Sequence, residues 1–131
     1  MVSVRAPSDP NARVAVFHGD HGHFCAGADL NEYVDATPSE IAARQMGRLW
    51  DAIAQCRKPV IAAVEGFAAG GGCSLALACD LRIAAQSAFI STGYLRVGLS
   101  GDYGIAWLLH QLIGRGRARA RPPTSTRSPR R

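Results

Sequence analysis

The sequence predicts one small α/β unit in which strands and helices alternate in layers, and two observations carry that prediction. Segments of strand character at residues 13–18, 60–64, 81–84 and 88–91 are interleaved with segments of helical spacing. One of those strands, Val-Ile-Ala-Ala-Val at 60–64, is apolar without alternation, as expected of a parallel strand covered on both faces. With 131 residues, 47% hydrophobic and 19% charged, one core is the most to expect.

Taken in order, residues 1–12 hold two prolines and no periodicity, and read as an irregular lead. The body, residues 13–114, opens with the strand RVAVFH. A loop of Gly, His and Asp follows, then a short helical turn near 29–34. Thr37-Pro38-Ser39-Glu40 has the chemistry of a helix start. Thr37 can accept a bond from the Glu40 N–H, Pro38 fits the first turn, and Glu40 can reach back. The spacing predicts a helix to about Cys56, with Ile41, Ala42, Met46, Leu49, Trp50 and Ile53 on one core-facing stripe. Lys58-Pro59 stops it. Residues 66–72 form a Gly-rich turn into a short helix at 73–78, and residues 105–113 read as a last helix ended by Gly114.

From Arg115 the chain is Arg- and Pro-rich, with no apolar side chain larger than alanine other than proline, so residues 115–131 are expected to be disordered. This tail also accounts for the formal net charge of +5. Through Gly114 there are eight Lys/Arg against ten Asp/Glu, while the tail adds seven Arg and no acid. The basicity therefore does not mark a nucleic-acid or membrane face on the folded body. Four cysteines lack metal-finger spacing, no leader pattern is present, and no apolar run approaches the roughly 20 residues of a membrane span. The expectation is a soluble cytoplasmic chain with reduced thiols.

Two segments concentrate the chemistry: Phe24-Cys25-Ala26-Gly27-Ala28-Asp29-Leu30, and residues 58–73, which include Glu65-Gly66-Phe67-Ala68-Ala69-Gly70-Gly71-Gly72-Cys73. Each places small residues where a strand or loop gives way to a helix. There the backbone N–H groups lack partners, and missing side chains let a ligand oxygen approach, which makes an anion site. No Lys-Ser or Lys-Thr follows the glycines, so this is not a phosphate loop. His18, Asp20, His21, His23 and Cys25 are dense enough to suit zinc, although a Gly-rich polar loop gives the same density without metal. Ser74 with a histidine could be drawn as a hydrolase pair, but Gly72-Cys73-Ser74-Leu75-Ala76 lacks the second glycine of a nucleophile elbow.

Together the two segments resemble the signature regions of the crotonase (enoyl-CoA hydratase/isomerase) family, over about residues 13–114. The resemblance implies part of the crotonase (ClpP/crotonase-like) spiral of strand-strand-helix repeats, lacking its first strands and its C-terminal trimerising helices. It further implies that N–H groups at Ala28 and Gly71 hold the thioester oxygen of an acyl-CoA, with Cys25, Ala26, Asp29 and Leu30 around the ligand. Coenzyme A would arrive as part of the substrate, and no separate cofactor or metal is implied. Members are usually trimers or dimers of trimers. A frameshifted or truncated reading frame is the expectation for the abrupt tail, and marginal folding with little activity the expectation for the isolated chain.

The family's hydratases carry two glutamates, and here the equivalent positions hold Ser74, two after Gly72, and Tyr94, four before Gly98. Both are poor bases at neutral pH. Asp102, in Gly98-Leu99-Ser100-Gly101-Asp102-Tyr103-Gly104, matches the stretch where the family's dienoyl-CoA isomerases place an aspartate. It reads equally as the N-cap of the last helix. Tyr94 reads also as a packing residue, and the cysteines as small core residues. The function so implied is acyl-CoA lyase or isomerase chemistry. The alternative is an inactive remnant that at most binds acyl-CoA or partner subunits.

Overall fold

The computed structural model describes residues 2–4, 9–29, 31, 34–37, 39–40, 48–94, 98, 100–101 and 103–120, with side chains from residue 9 onward except those of 48 and 120. In chain order the elements are β1 (Val2–Val4), β2 (Ala15–Gly19), α1 (Arg48–Ala54), β3 (Val60–Val64), β4 (Phe67–Ala69), α2 (Gly71–Ala78), β5 (Leu81–Ala84), β6 (Phe89–Ser91) and α3 (Ile105–Ala120). The main sheet runs β1-β2-β3-β5, and β4 pairs with β6 in a second, two-stranded sheet. Pairings β2/β3, β3/β5 and β4/β6 are parallel, as the unbroken apolar strand predicts, and α1 and α2 are the crossovers such pairing requires.

Register decides which side chains form the core. Ala15 lies beside Val60 and Phe17 beside Ala62, so these point to one face, where they are buried with Val64, Phe24, Ile53, Leu75 and Ala76. On the opposite face Val16 aligns with Ile61 and Leu81, and His18 with Ala63 and Ile83. Leu81 and Ile83 are 57% and 66% exposed there, while Ile61 and Ala63 are half-buried. β3 is thus buried on one face and only half covered on the other, a correction to the expectation of two covered faces.

The Thr37–Glu40 capping box forms as its sequence predicts. The Glu40 N–H donates to Thr37 Oγ1 at 3.3 Å and the Thr37 N–H to Glu40 Oε2 at 2.8 Å. Of the expected stripe, Ile53 is buried, Trp50 is half-buried and Leu49 is exposed; Ile41, Ala42 and Met46 lie outside the described residues. The far end of α2 is closed by Arg82, whose guanidinium donates to the carbonyls of Cys79 at 2.6 Å, Leu77 at 3.3 Å and Ala76 at 3.4 Å. A cation there satisfies orphan carbonyls and complements the helix dipole. Asp80 Oδ2 in turn accepts the Val60 N–H at 2.8 Å, tying the same corner to the sheet.

Three boundaries differ from the sequence reading. Residues 2–4, read as irregular, form β1 antiparallel to β2; Val-Ser-Val is too short to show a period, and its pairing comes from the open edge of β2. The Gly-rich turn contains the strand β4, so the chain pairs with β6 before the glycines begin. Gly114 does interrupt the last helix, at φ 77° and ψ 159°, but helix resumes through Ala120. Arg and Ala are strong helix formers, which accounts for helix where the start of the tail was expected to be disordered.

Candidate active site

Loop 20–29 and the Gly-rich segment are joined by an isolated parallel bridge between Cys25 and Ala68. The Cys25 N–H donates to the Phe67 carbonyl at 2.9 Å, and the Ala69 N–H to the Cys25 carbonyl at 2.9 Å. This stitch brings Gly27, at φ 96°, against the start of α2. A Cβ built on Gly27 would lie 3.0 Å from the Ala69 carbonyl oxygen and 3.2 Å from the Gly71 nitrogen, so only glycine fits. Gly72 is held as tightly, because a methyl there would overlap the Cys25 carbonyl oxygen.

The glycines then present their amides. Gly70, at φ 52°, donates to the Ser91 carbonyl at 3.0 Å and caps α2 with no side-chain hydrogen bond. The sequence thus leaves the first N–H groups of α2 unpaired beside Ala28, which follows Gly27 and is exposed. Among the described residues, neither the Ala28 nor the Gly71 N–H has a protein acceptor. The dipole of α2 adds favourable potential for negative charge at this place.

The other expected residues fall as follows. Cys25 is half-buried in the bridge, and Ala26 is exposed beside it. Asp29 Oδ1 accepts from the Asn31 N–H at 2.9 Å and from Asn31 Nδ2 at 3.0 Å, so this carboxylate closes a local turn. Ser74 is fully buried, its N–H bonded to the Gly70 carbonyl at 3.1 Å and its hydroxyl directed to the same oxygen at 3.5 Å. Tyr94 is buried in a cluster with Cys73 and Ile105, and its N–H donates to the Thr92 carbonyl at 2.7 Å. It also lines a cavity of about 460 Å³ beside α3, together with Thr92, Ser100, Ile105, Leu109 and Arg119. Leu30 and Asp102 lie outside the described residues.

Burial pushes the Cys73 thiol up to about 12 and the Cys79 thiol up to about 11, so both behave as small core residues at neutral pH. His23 does not join a metal cluster. Its Nδ1 accepts the Phe67 N–H at 3.3 Å and its ring packs against Phe67 at 5.0 Å, and no group of three potential ligands forms among the described residues.

Sequence reading missed two aromatic residues here. The Tyr103 ring lies against Gly71, with Cε2 and Cδ2 at 3.4 and 3.6 Å from where a Gly71 Cβ would stand. Trp50 stacks on that ring at 3.8 Å and 3°. No local signal links two aromatics so far apart in sequence; only the position of Tyr103 inside the Gly98–Gly104 motif hinted at it.

A parallel sheet with crossover helices, and two glycine-bearing loops stitched beneath a helix start, define an α/β protein with unpaired backbone amides at that helix start. The enoyl-CoA hydratase/isomerase family model matches residues 4–125, wider at both ends than the span legible from the motifs. A probable enoyl-CoA hydratase of Mycobacterium tuberculosis is 40% identical over 119 residues, covering 88% of this chain and 46% of the relative. One of Rhodobacter capsulatus is 42% identical over 109 residues, covering 82% and 42%. The solved enoyl-CoA hydratase from Polaromonas sp. JS666 superposes with a TM-score of 0.82 at 38% identity, covering 92% of this chain and 50% of that one. That from Bacillus anthracis gives 0.80 at 36%, covering 87% and 45%. The chain belongs to the enoyl-CoA hydratase/isomerase family and has part of the crotonase fold; it spans about half the length of the curated relatives it matches.

Proposed function

We propose that this chain binds an acyl-CoA thioester with the Ala28 and Gly71 N–H groups on its carbonyl oxygen, and that these donors hold the enolate-like charge formed in lyase or isomerase chemistry. The observation that carries the reading is the contact of Gly27 with the start of α2, which leaves two adjacent amides without protein acceptors. Each such donor contributes on the order of 3 kcal/mol to a transition state that develops charge on that oxygen.

Proton handling differs from a hydratase's pair of glutamates. Ser74 is buried with its hydroxyl directed at the Gly70 carbonyl, and Tyr94 lines the cavity beside α3; neither is a carboxylate. Asp102 is the acid/base group the family resemblance supports, moving a proton alpha or gamma to the carbonyl. Cys25, Ala26, Asp29 and Leu30 border the ligand, coenzyme A enters as part of the substrate, and no other cofactor takes part. Partner subunits would be copies in a trimer or a dimer of trimers, nucleic acid and membrane have no part, and the site of action is the cytoplasm. No helix among the described residues is long and apolar enough to cross a membrane.

Titration with crotonyl-CoA by calorimetry, beside spectroscopic assays of enoyl hydration and double-bond migration, tests this reading. Ala28→Pro deletes one donor and is expected to cost about a hundredfold or more in turnover, where turnover is seen. Binding without turnover selects the inactive remnant, and no binding by the parent chain overturns the thioester site.

A further inference from the structure

We propose that Tyr103, held in place by Trp50, selects the shape of the acyl group by excluding branches at the carbon next to the thioester carbonyl. The proposal rests on the thioester reading above and adds the substrate class to it: α-unbranched acyl groups.

Two neighbours approach the place where a Gly71 Cβ would stand: the edge of the Tyr103 ring at 3.4 Å and the Gly27 Cα at 3.8 Å. Bond lengths then put that edge no more than about 6 Å from the Gly71 nitrogen. A carbonyl oxygen accepting from Gly71 would sit about 3 Å from the same nitrogen. The ring edge and a carbonyl oxygen held by Gly71 are therefore neighbours around one amide, no more than about 9 Å apart. A hydrogen on the α carbon leaves room beside the ring edge, whereas a methyl there widens the acyl group, within its own plane, towards Cε2 and Cδ2 of Tyr103.

The wall is also fixed. Tyr103 has φ 49°, a left-handed conformation uncommon for a bulky residue, and Gly104 follows at φ 68°. Trp50 keeps its ring flat on Tyr103 although its indole Nε1 is buried without a hydrogen-bond partner. Two unfavourable local features are thus tolerated to hold one aromatic pair beside one amide. Such features persist where the surroundings over-determine them, and they cluster at ligand clamps.

The test measures dissociation constants for crotonyl-CoA and 2-methylcrotonyl-CoA in the parent chain, Tyr103→Gly and Tyr103→Phe. Glycine accepts φ 49° without strain, so the substitution removes the wall and leaves the turn intact. One extra methyl in a fitted pocket changes selectivity by about 10- to 200-fold. The parent and Tyr103→Phe are expected to prefer the unbranched thioester at least about tenfold, and Tyr103→Gly less than about threefold. An unchanged ratio in Tyr103→Gly overturns the selector role and leaves the thioester site standing, whereas no binding of either thioester by the parent overturns both. Should Tyr103→Gly fail to fold, Trp107→Phe leaves Trp50 as the sole tryptophan, and Trp107 is 64% exposed. Crotonyl-CoA is expected to change Trp50 emission in that variant; calorimetric binding without such a change refutes the proposal.

Discussion

Replacing Gly72 with alanine perturbs the joint on which the two-loop site depends. The new methyl would overlap the Cys25 carbonyl oxygen and stand 2.7 Å from both the Cys25 carbonyl carbon and Cβ. Backbone cannot yield as a flexible side chain can, so the strand segment at Cys25 must move, straining its bonds to Phe67 and Ala69, both 2.9 Å. Overpacking costs about 1–3 kcal/mol, and the two backbone hydrogen bonds about 0.5–1.5 kcal/mol each. The better helix propensity of alanine returns about 1 kcal/mol or less. The net expectation is a loss of about 1–5 kcal/mol, or a fall in melting temperature of roughly 4–18 °C for a chain of this size. The control is Gly71→Ala, whose methyl meets the Tyr103 ring at 3.4 Å, an ordinary contact. That variant should stay within about 1 kcal/mol of the parent. Melts followed by tryptophan emission compare all three. Equal melting of the two variants, or a Gly72→Ala melt within about 3 °C of the parent, would refute the claim that Gly72 is fixed by close approach.

Two further predictions follow from the corner that closes α2 and from the buried thiols. Arg82→Met removes the charged donor to the carbonyls of Cys79, Leu77 and Ala76, and should cost about 2 kcal/mol in a urea melt; a midpoint unchanged from the parent would mean that water satisfies those carbonyls equally well. For the thiols, folding raises the Cys73 and Cys79 pKa from 9.0 to about 12 and about 11. The stability this represents is present below pH 9 and is lost as pH rises, because the unfolded chain ionises first. Each thiol contributes a decline of up to about 1.4 kcal/mol per pH unit above that point. The double variant Cys73→Ala, Cys79→Ala should flatten the difference between urea melts at pH 8 and pH 10; identical slopes in parent and variant would show that the burial of these thiols does not govern alkaline unfolding.

What the sequence made legible is what local chemistry dictates. The capping box at Thr37 and Glu40 needs only two residues three apart, and it forms with both of its reciprocal bonds. The parallel character of β3 follows from its composition, and the Gly-rich start of α2 from the absence of side chains at 70–72. Long-range pairing was not legible. β1 exists because β2 offers an edge, and β4 because β6 arrives beside it; neither three-residue strand carries a period of its own. The Trp50–Tyr103 stack depends on α1 and the turn before α3 meeting over Gly71, a juxtaposition that no spacing rule anticipates. Leu49 was misread for a related reason: the stripe on α1 is set by what packs against it, and Ile53 joins the buried cluster that holds Leu75 and Ala76 whereas Leu49 stays exposed.

In the proposed site, ligand binding and proton transfer rest on different parts of the chain. Both amides, the Cys25–Ala68 bridge and the helix that begins at Gly71 lie between Cys25 and Ala78, inside the half of the relatives' length that this chain covers. Their geometry is fixed by backbone contacts: Gly27 against Gly71, Gly72 against Cys25, and Cys25 bonded to Phe67 and Ala69. None of these contacts involves the side chains of Ser74 or Tyr94, since Ser74 turns its hydroxyl toward the Gly70 carbonyl and Tyr94 packs on Cys73 and Ile105. An oxygen site built from backbone tolerates changes in its acid/base partners, because those partners set which proton moves and the amides set only where negative charge accumulates. Affinity for the thioester should therefore outlast the loss of any single acid/base side chain, and should fail when the Cys25–Ala68 bridge is broken.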